Sequence, residues 1–310
     1  ALGSCLALYI FLKDQHDVKI ISPNDYPQFL KWLPYHEKIE LFEEGYKGNM
    51  RRFIQNSDII FILDFNALHR IDELGDIVKN SNGLKVMIDH HEQPETFDIM
   101  YSDPSMPATA EMMYYFLKKL TSKSFFNKEI ATCLYTGIMT DTGSFRYPST
   151  SANTHRVIAN LLELGVEKTK IHGNVYDTNT LSRFKLIGKA LQNLVVLNDL
   201  KTSYITLSSK ELQEYGYKRG DTEGIVNYGL ALNEIVFTVI FIEDVEKGIV
   251  KISLRSKGDF DVNQFSRNHF GGGGHINAAG GKSELSLIET VSQFNTIIPK
   301  YKERLMNTKL

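Results

Sequence analysis

Two short apolar runs, each closed by an aspartate, restrict this chain more than any other feature. Ile59-Ile60-Phe61-Ile62-Leu63 leads into Asp64, and Lys85-Val86-Met87-Ile88 leads into Asp89. Uninterrupted apolar stretches of this length read as strands buried on both faces, the pattern of a parallel sheet covered by helices on either side. Val18-Lys19-Ile20-Ile21 reads as another short strand. Helical stripes lie between and after these runs. Met113, Phe116, Leu117 and Leu120 recur at i, i+3, i+4 and i+7, and Ile130, Cys133, Leu134, Gly137 and Ile138 do the same. Val157, Ile158, Leu161 and Leu162 continue the series, with Gly165 placed as a C-terminal cap. The opening residues, Ala1 to Tyr9, read as the first turns of an amphipathic helix.

The pattern changes in the second half. One helix is predicted from Asn179 to Val196, where it would connect two domains. Strands are predicted at Ser203–Leu207, Val236–Phe241 and Ile249–Leu254, with a weaker helical segment near Thr222 to Leu230. A glycine run, Gly271 to Gly274, and a final helix near Leu285 to Leu305 close the chain. The expected class is α/β: a parallel-sheet N-terminal domain (1–178) with helices on both faces, a connecting helix (179–197), and a smaller mixed α/β domain (198–310). With 310 residues, 42% of them hydrophobic, the chain is long enough to fill two cores.

Charge and composition bound the partners. The formal net charge of −2 provides no bulk basic field for long nucleic acid. No apolar run approaches the roughly 20 residues that span a bilayer, and the start of the chain lacks the basic stretch and cleavage pattern of a signal peptide. Cys5 and Cys133 lie far apart, form no metal-type pair and fit a reducing compartment. These features predict a cytoplasmic protein that engages neither membrane nor long DNA, and they leave a homodimer open.

Asp64 and Asp89 each follow a predicted parallel strand, and ligands of open α/β sheets gather outside the carboxyl ends of the strands. His90 and His91 add imidazole beside them. Asp141 ends the apolar helix 130–140, where the helix dipole disfavours negative charge and a cation would compensate. Taken singly, Asp64 is as readily a turn or cap residue, the histidine pair a surface pair and Asp141 a helix-end turn residue. Taken together they are a mixture of carboxylate and imidazole that suits Mn²⁺ or a similar divalent ion. Two such ions about 4 Å apart activate water and stabilise the leaving oxygen of a phosphate ester.

Gly271-Gly272-Gly273-Gly274-His275-Ile276-Asn277-Ala278-Ala279-Gly280-Gly281 is the second signal. Four glycines let backbone N–H groups approach an anion, and a helix start is expected just after them. His275 is placed to touch a phosphate or a base. Arg255, at the end of a predicted strand, offers a bidentate phosphate clamp or is an ordinary surface arginine. Lys257 and Arg267 read as solvated charges.

Asp89-His90-His91, Thr140-Asp141-Thr142-Gly143 and Gly271-Gly272-Gly273-Gly274-His275 resemble, in this order and spacing, the DHH phosphoesterases that carry a DHH-associated C-terminal domain. Leu63-Asp64-Phe65-Asn66-Ala67-Leu68-His69-Arg70 resembles their second motif. Within that superfamily the chain looks most like the nano-RNases, the bifunctional oligoribonuclease and 3′-phosphoadenosine-5′-phosphate phosphatases, over essentially its whole length. The resemblance implies that Asp64 bridges two Mn²⁺ ions (Mg²⁺ or Co²⁺ being alternatives) and that His90 and Asp141 are further metal ligands. Asp89 would orient the site and His91 would face the scissile phosphate. Arg255, Gly273, Gly274 and His275 would bind the nucleotide.

The implied substrates are short RNA or dinucleotides, released as 5′-mononucleotides, and 3′-phosphoadenosine-5′-phosphate, released as AMP. A cyclic- or linear-dinucleotide phosphodiesterase shares the same motifs. In the family pattern a histidine and two aspartates stand just before an Ala-(Ile/Leu)-Gly-Ser helix start, whereas this chain opens at Ala1-Leu2-Gly3-Ser4. The expectation is therefore a fragment of a longer chain with an incomplete metal site, and a non-catalytic nucleotide-binding module is the alternative.

Overall fold

The computed structural model describes residues 1–42, 47–121 and 126–309. It divides into two compact units, Ala1–Thr178 and Asn179–Leu310. The first unit runs α1 (Leu2–Leu12), β1 (Ile20–Ser22), β2 (Ile39–Leu41), α2 (Lys47–Asn56), β3 (Ile59–Leu63), α3 (Asp72–Lys79), β4 (Leu84–Asp89), β5 (Ile99–Ser102), α4 (Thr109–Leu120), α5 (Lys128–Asp141), α6 (Ala152–Glu163) and α7 (Lys168–Tyr176). Strands β3, β4 and β5 form a parallel sheet in that order, and β1 pairs in parallel with β2 in a ladder of its own.

The apolar runs are uninterrupted because neighbouring residues serve different cores. Ile62 and Met87 pack with Met50 and Ile54 of α2 and Leu74 and Ile77 of α3. Leu63 and Ile88 point the other way, into a cluster with Leu6 of α1, Met112 of α4 and Leu134 of α5. Successive side chains of a strand face opposite sides, so two apolar residues in a row require cover on both. Helices do lie on both faces, and the α/β class holds.

The α1–α5 contact fixes where the end of α5 stands. A Cβ on Gly3 would lie 2.4 Å from the Cys133 carbonyl oxygen, and one on Gly137 would lie 2.6 Å from the Cβ of Ala110. Glycine at both positions lets α5 approach α1 and α4 at backbone distance. The two helices run antiparallel, so the C-terminal turn of α5 lies by the first turn of α1.

One buried acid in α4 makes a measurable prediction. Glu111 is 1% exposed, and its Oε2 has no hydrogen-bond partner among the described residues. Burial pushes its carboxyl above the ordinary value of 4.5, against a smaller opposing effect of the Thr154 hydroxyl. The folded state thus holds this proton to higher pH than the unfolded state. Its contribution is intact below the ordinary value and is lost as pH rises through the folded one. Glu111→Gln should melt like the parent near pH 4 and at a higher temperature near pH 8. Equal shifts at both pH values would rule out ionisation as the cause.

The second unit runs α8 (Leu181–Gln192), β6 (Val195–Leu197), β7 (Thr202–Leu207), α9 (Ser209–Glu214), α10 (Val226–Leu230), β8 (Phe237–Asp244), β9 (Ile249–Ser256), α11 (Val262–Phe270), β10 (Gly273–His275), β11 (Ala278–Ser283), α12 (Leu287–Ile297) and α13 (Lys302–Met306). Its six-stranded sheet has the order β10-β11-β9-β8-β7-β6, and only β7 and β8 are parallel neighbours. Phe237, Phe241, Phe265 and Phe294 meet edge-on or tilted in its core.

Three expectations are corrected here. The helix predicted from Asn179 to Val196 stops at Gln192, and Val195 and Val196 form the edge strand β6; β-branched residues suit a strand better than a helix end. The predicted helix 285–305 breaks at Ile298–Tyr301, a 3₁₀ turn holding Pro299, whose ring and missing N–H do not fit a helix interior. No helix follows the glycine run. Helix α11 ends at Gly271, a left-handed cap with φ of 56°, and the glycines continue into the β10–β11 hairpin.

Candidate metal centre

Five element ends converge in the first unit. Asp64 follows β3, Asp89 ends β4, His90 and His91 come next, Thr109 opens α4 and Asp141 closes α5. The start of α1 completes the group. Ligand atoms of Asp64, His90 and Asp141 all lie within 4.8 Å of one another, as do those of Asp64, Asp89 and His91.

Asp64 sits in a left-handed backbone conformation, φ 68°, which non-glycine residues rarely adopt and which Asp tolerates better than most. Its N–H donates to the Ile88 carbonyl (3.1 Å), which ties the turn after β3 to β4. The Thr109 hydroxyl donates to Oδ1 at 2.6 Å, and His90 Nε2 lies 3.6 Å from the same oxygen. Burial works against the charged form of Asp64. The facing His90 and the Thr109 hydroxyl favour it.

Asp141 goes the other way, pushed up to about 6, first by burial and then by the Asp64 carboxylate. The C-terminal position of Asp141 on α5 is offset by the facing first turn of α1, whose dipole end is positive.

Both imidazoles hold Nδ1 on a partner that only accepts. His90 Nδ1 lies 3.0 Å from the Met106 carbonyl oxygen and donates to it, and Nε2 faces Asp64 Oδ1. His91 Nδ1 lies 2.7 Å from Asp89 Oδ1, while Asp89 Oδ2 accepts the His91 N–H at 3.1 Å. Asp89 is fully buried and gives both oxygens to His91. A fixed Nδ1–H partner is the usual support of an imidazole that uses Nε2 on a metal or substrate.

The loop after Asp141 is strained and tightly held. Gly143, Ser144 and Phe145 have φ of 56°, 60° and 66° in succession. Left-handed backbone costs a residue such as phenylalanine about 1–3 kcal/mol and persists only where neighbours enforce it. The buried Thr142 does so: its hydroxyl donates to the Ile138 carbonyl (2.7 Å) and accepts the Phe145 N–H (3.0 Å), and its carbonyl accepts from Arg146 and Tyr147. Thr142→Val should cost about 1–3 kcal/mol, the penalty of an unpaired buried N–H, and should weaken divalent-ion binding through Asp141. Urea unfolding and calorimetric metal titration check both. Unchanged stability would show that Thr142 does not hold the loop.

Two carboxylates and an imidazole, brought together at the sheet edge, form a donor set that fits a divalent cation. Sequence reasoning brought together Asp64, Asp89, His90, His91 and Asp141. It missed Thr109, Thr142, the Met106 carbonyl and the first turn of α1. A threonine at the head of the apolar stripe in α4 was the readable signal for Thr109; nothing in the sequence pointed to Met106.

The glycine motif lies in the second unit. His275 pairs with Ala278, which pairs with Arg255, and Gly273 pairs with Gly280, which pairs with Ser253. Directly opposed residues share a face. Small residues therefore make a floor between His275 and Arg255. Gly272 and Gly274 permit close backbone packing, and no helix starts just after them. A Cβ at Gly272 would stand 1.9 Å from the Gly280 oxygen and one at Gly274 would stand 2.4 Å from the Ala278 oxygen. The Gly274 N–H donates to Asn263 Oδ1 at 3.0 Å.

A parallel sheet that brings carboxylates and imidazoles to its carboxyl edge has the layout of a ligand-binding edge with a metal-type donor set. Residues 1–138 match the DHH family, N-terminal domain, and residues 201–305 match the DHHA1 domain. The crystal structure of an exopolyphosphatase-related protein from Bacteroides fragilis is 40% identical, with a TM-score of 0.93, covering 99% of this chain and 90% of that one. An uncharacterized protein of Mycoplasma pneumoniae, the MG371 homolog, is 32% identical over 73% of this chain and 66% of its own length. The bifunctional oligoribonuclease and PAP phosphatase NrnA of Thermus thermophilus is 28% identical over 98% of this chain and 86% of its own length. The chain belongs to the DHH family. No helix among the described residues is long and apolar enough to cross a membrane.

Proposed function

We propose that this protein hydrolyses short oligoribonucleotides to 5′-mononucleotides and 3′-phosphoadenosine-5′-phosphate to AMP, using Mn²⁺. The observation that carries the reading is the Asp64–His90–Asp141 group, whose ligand atoms lie within 4.8 Å of one another, with His90 held through Nδ1 by the Met106 carbonyl. The Thermus relative, named as an oligoribonuclease and PAP phosphatase, supports the substrate class.

Asp64, His90 and Asp141 would hold the ion, which when bound supplies the positive charge that favours attack of water on phosphorus. Asp89 keeps the proton of His91 on Nδ1, so that Nε2 accepts a proton or hydrogen bond beside the scissile phosphate. In the second unit the floor of Ala278, Gly273, Gly280 and Ser253 leaves room for a flat base, flanked by His275 and Arg255.

The test is hydrolysis of a dinucleotide RNA and of longer oligomers with Mn²⁺, assayed on residues 1–310 and on the same chain translated together with any codons upstream of Ala1. Dinucleotides should be turned over fastest. A rate that stays flat or rises with oligomer length would overturn the small-substrate reading, and no hydrolysis in either form would overturn the enzyme reading.

A further inference from the structure

Arg267, on α11, looks in the sequence like a solvated charge, and the structure treats it otherwise. Its Nε donates to Asn263 Oδ1 at 3.0 Å. Asn263 is 3% exposed, and the same oxygen accepts the Gly274 N–H at 3.0 Å. One buried carboxamide therefore aims the guanidinium and ties it to the glycine strand. Holding a long, exposed side chain in this way costs rotamer entropy that a merely solvated arginine does not spend. Among the described residues no carboxylate pairs with Arg267, and no acceptor meets its two terminal nitrogens.

The surroundings keep that guanidinium open. β10 is the last strand of its sheet, so no further strand covers it. A Cβ on Gly273 would stand 3.4 Å from Arg267 Nη2 and 3.3 Å from Asn263 Oδ1. A larger side chain at 273 would crowd both groups and cover the terminal nitrogens. Glycine leaves them clear, two residues before His275 and at the margin of the small-residue floor.

We propose that Arg267 is a phosphate-binding residue of the second unit, oriented by Asn263 and left accessible by Gly273. Two parallel N–H groups fixed through Nε match the oxygens of a phosphate in a bidentate contact, which a lysine at the same place would not reproduce. The ligand class is a nucleotide phosphate, so the inference rests on the proposed nucleotide hydrolysis. Asn263 acts through Arg267 and the Gly274 amide and is a positioning residue.

The experiment compares the affinities of adenosine 3′,5′-bisphosphate and of adenosine by calorimetry, without added metal. Arg267→Ala should lower the bisphosphate affinity about tenfold or more while leaving the adenosine affinity within about twofold. Arg267→Lys should recover only part of the loss. Asn263→Ala should fall between, and its melting temperature, read beside that of Arg267→Ala, separates misfolding from misorientation. Lys282→Ala removes a charge from the same sheet and should change neither affinity.

An unchanged bisphosphate-to-adenosine ratio in Arg267→Ala overturns the inference, as does an equal loss in Lys282→Ala, which would mean bulk charge alone. A parent chain that binds the bisphosphate and hydrolyses dinucleotides while Arg267→Ala keeps its ratio sinks the inference and leaves the functional reading standing. A parent chain that neither binds nor hydrolyses sinks both.

Discussion

Asp64→Asn should reduce hydrolysis by about 10³-fold or more, on the order of 4 kcal/mol of barrier, with little change in folding. Asparagine is the replacement that isolates charge. It tolerates the left-handed backbone that position 64 requires, and its amide oxygen still accepts from the Thr109 hydroxyl. What disappears is the negative charge facing His90 and crowding Asp141. Divalent-ion affinity should fall with the rate. Because the Asp64 carboxylate is the second cause, after burial, of the raised Asp141 carboxyl, that group should move back down toward the ordinary range. Metal titration calorimetry, initial rates on a dinucleotide and a thermal melt read the three consequences separately. Parental turnover and parental metal affinity together in Asp64→Asn would remove this aspartate from the centre. Asp64→Leu is the contrasting case, since it adds backbone strain to lost charge and should lower the melting temperature as well.

Asp89→Asn should lower kcat by up to about 10⁴-fold, the loss that follows when an orienting aspartate behind a working histidine is amidated. Both Asp89 oxygens are engaged by His91, one by its N–H and one by Nδ1. An asparagine can keep only one of those contacts as an acceptor. If its amide nitrogen turns to Nδ1, the proton moves to Nε2 and the lone pair facing the reaction is lost. The loss should appear in kcat more than in KM, because Asp89 acts through His91. His91→Ala should fall to a similar rate, and the double variant should fall no further, since the two act as one unit. A fully active Asp89→Asn beside an inactive His91→Ala would mean that the pairing is structural only.

The parts of this architecture that were readable from sequence are those set by local pattern. The apolar runs at 59–63 and 85–88 revealed strands, and an aspartate directly after each revealed the carboxyl edge of the sheet. Asp141 was readable because an acid at a helix C-terminus calls for a compensating charge. The hidden parts depend on tertiary approach. Met106 acts through its carbonyl, which every residue possesses, so its identity carries no signal. The compensating charge at Asp141 includes the head of α1, visible only once Gly3 and Gly137 bring the helices together. In the second unit a glycine run gives no sign in sequence of the strand pairing it enters, and the close approach at Gly272 and Gly274 is visible only in the β10–β11 register. Val195 and Val196 extended a helical pattern into what is an edge strand. Arg267 looked ordinary because its significance lies in a contact with Asn263 that is one helical turn away and equally consistent with a surface helix.

The seam at Gly3 and Gly137 also sets how accurately the centre can be built. Asp141 stands one helical turn beyond Gly137 on a stiff rod, so any displacement of α5 is carried to the carboxylate almost undiminished. A single methyl group at either glycine would not touch an ion or a substrate, yet it would push that rod away from Asp64 and His90. The tolerance on the distance between ligands is therefore held by two positions with no chemistry of their own. An assayist surveying variants of this protein would find inactive ones there, folded and fully supplied with every ligand, whose fault is a dimension.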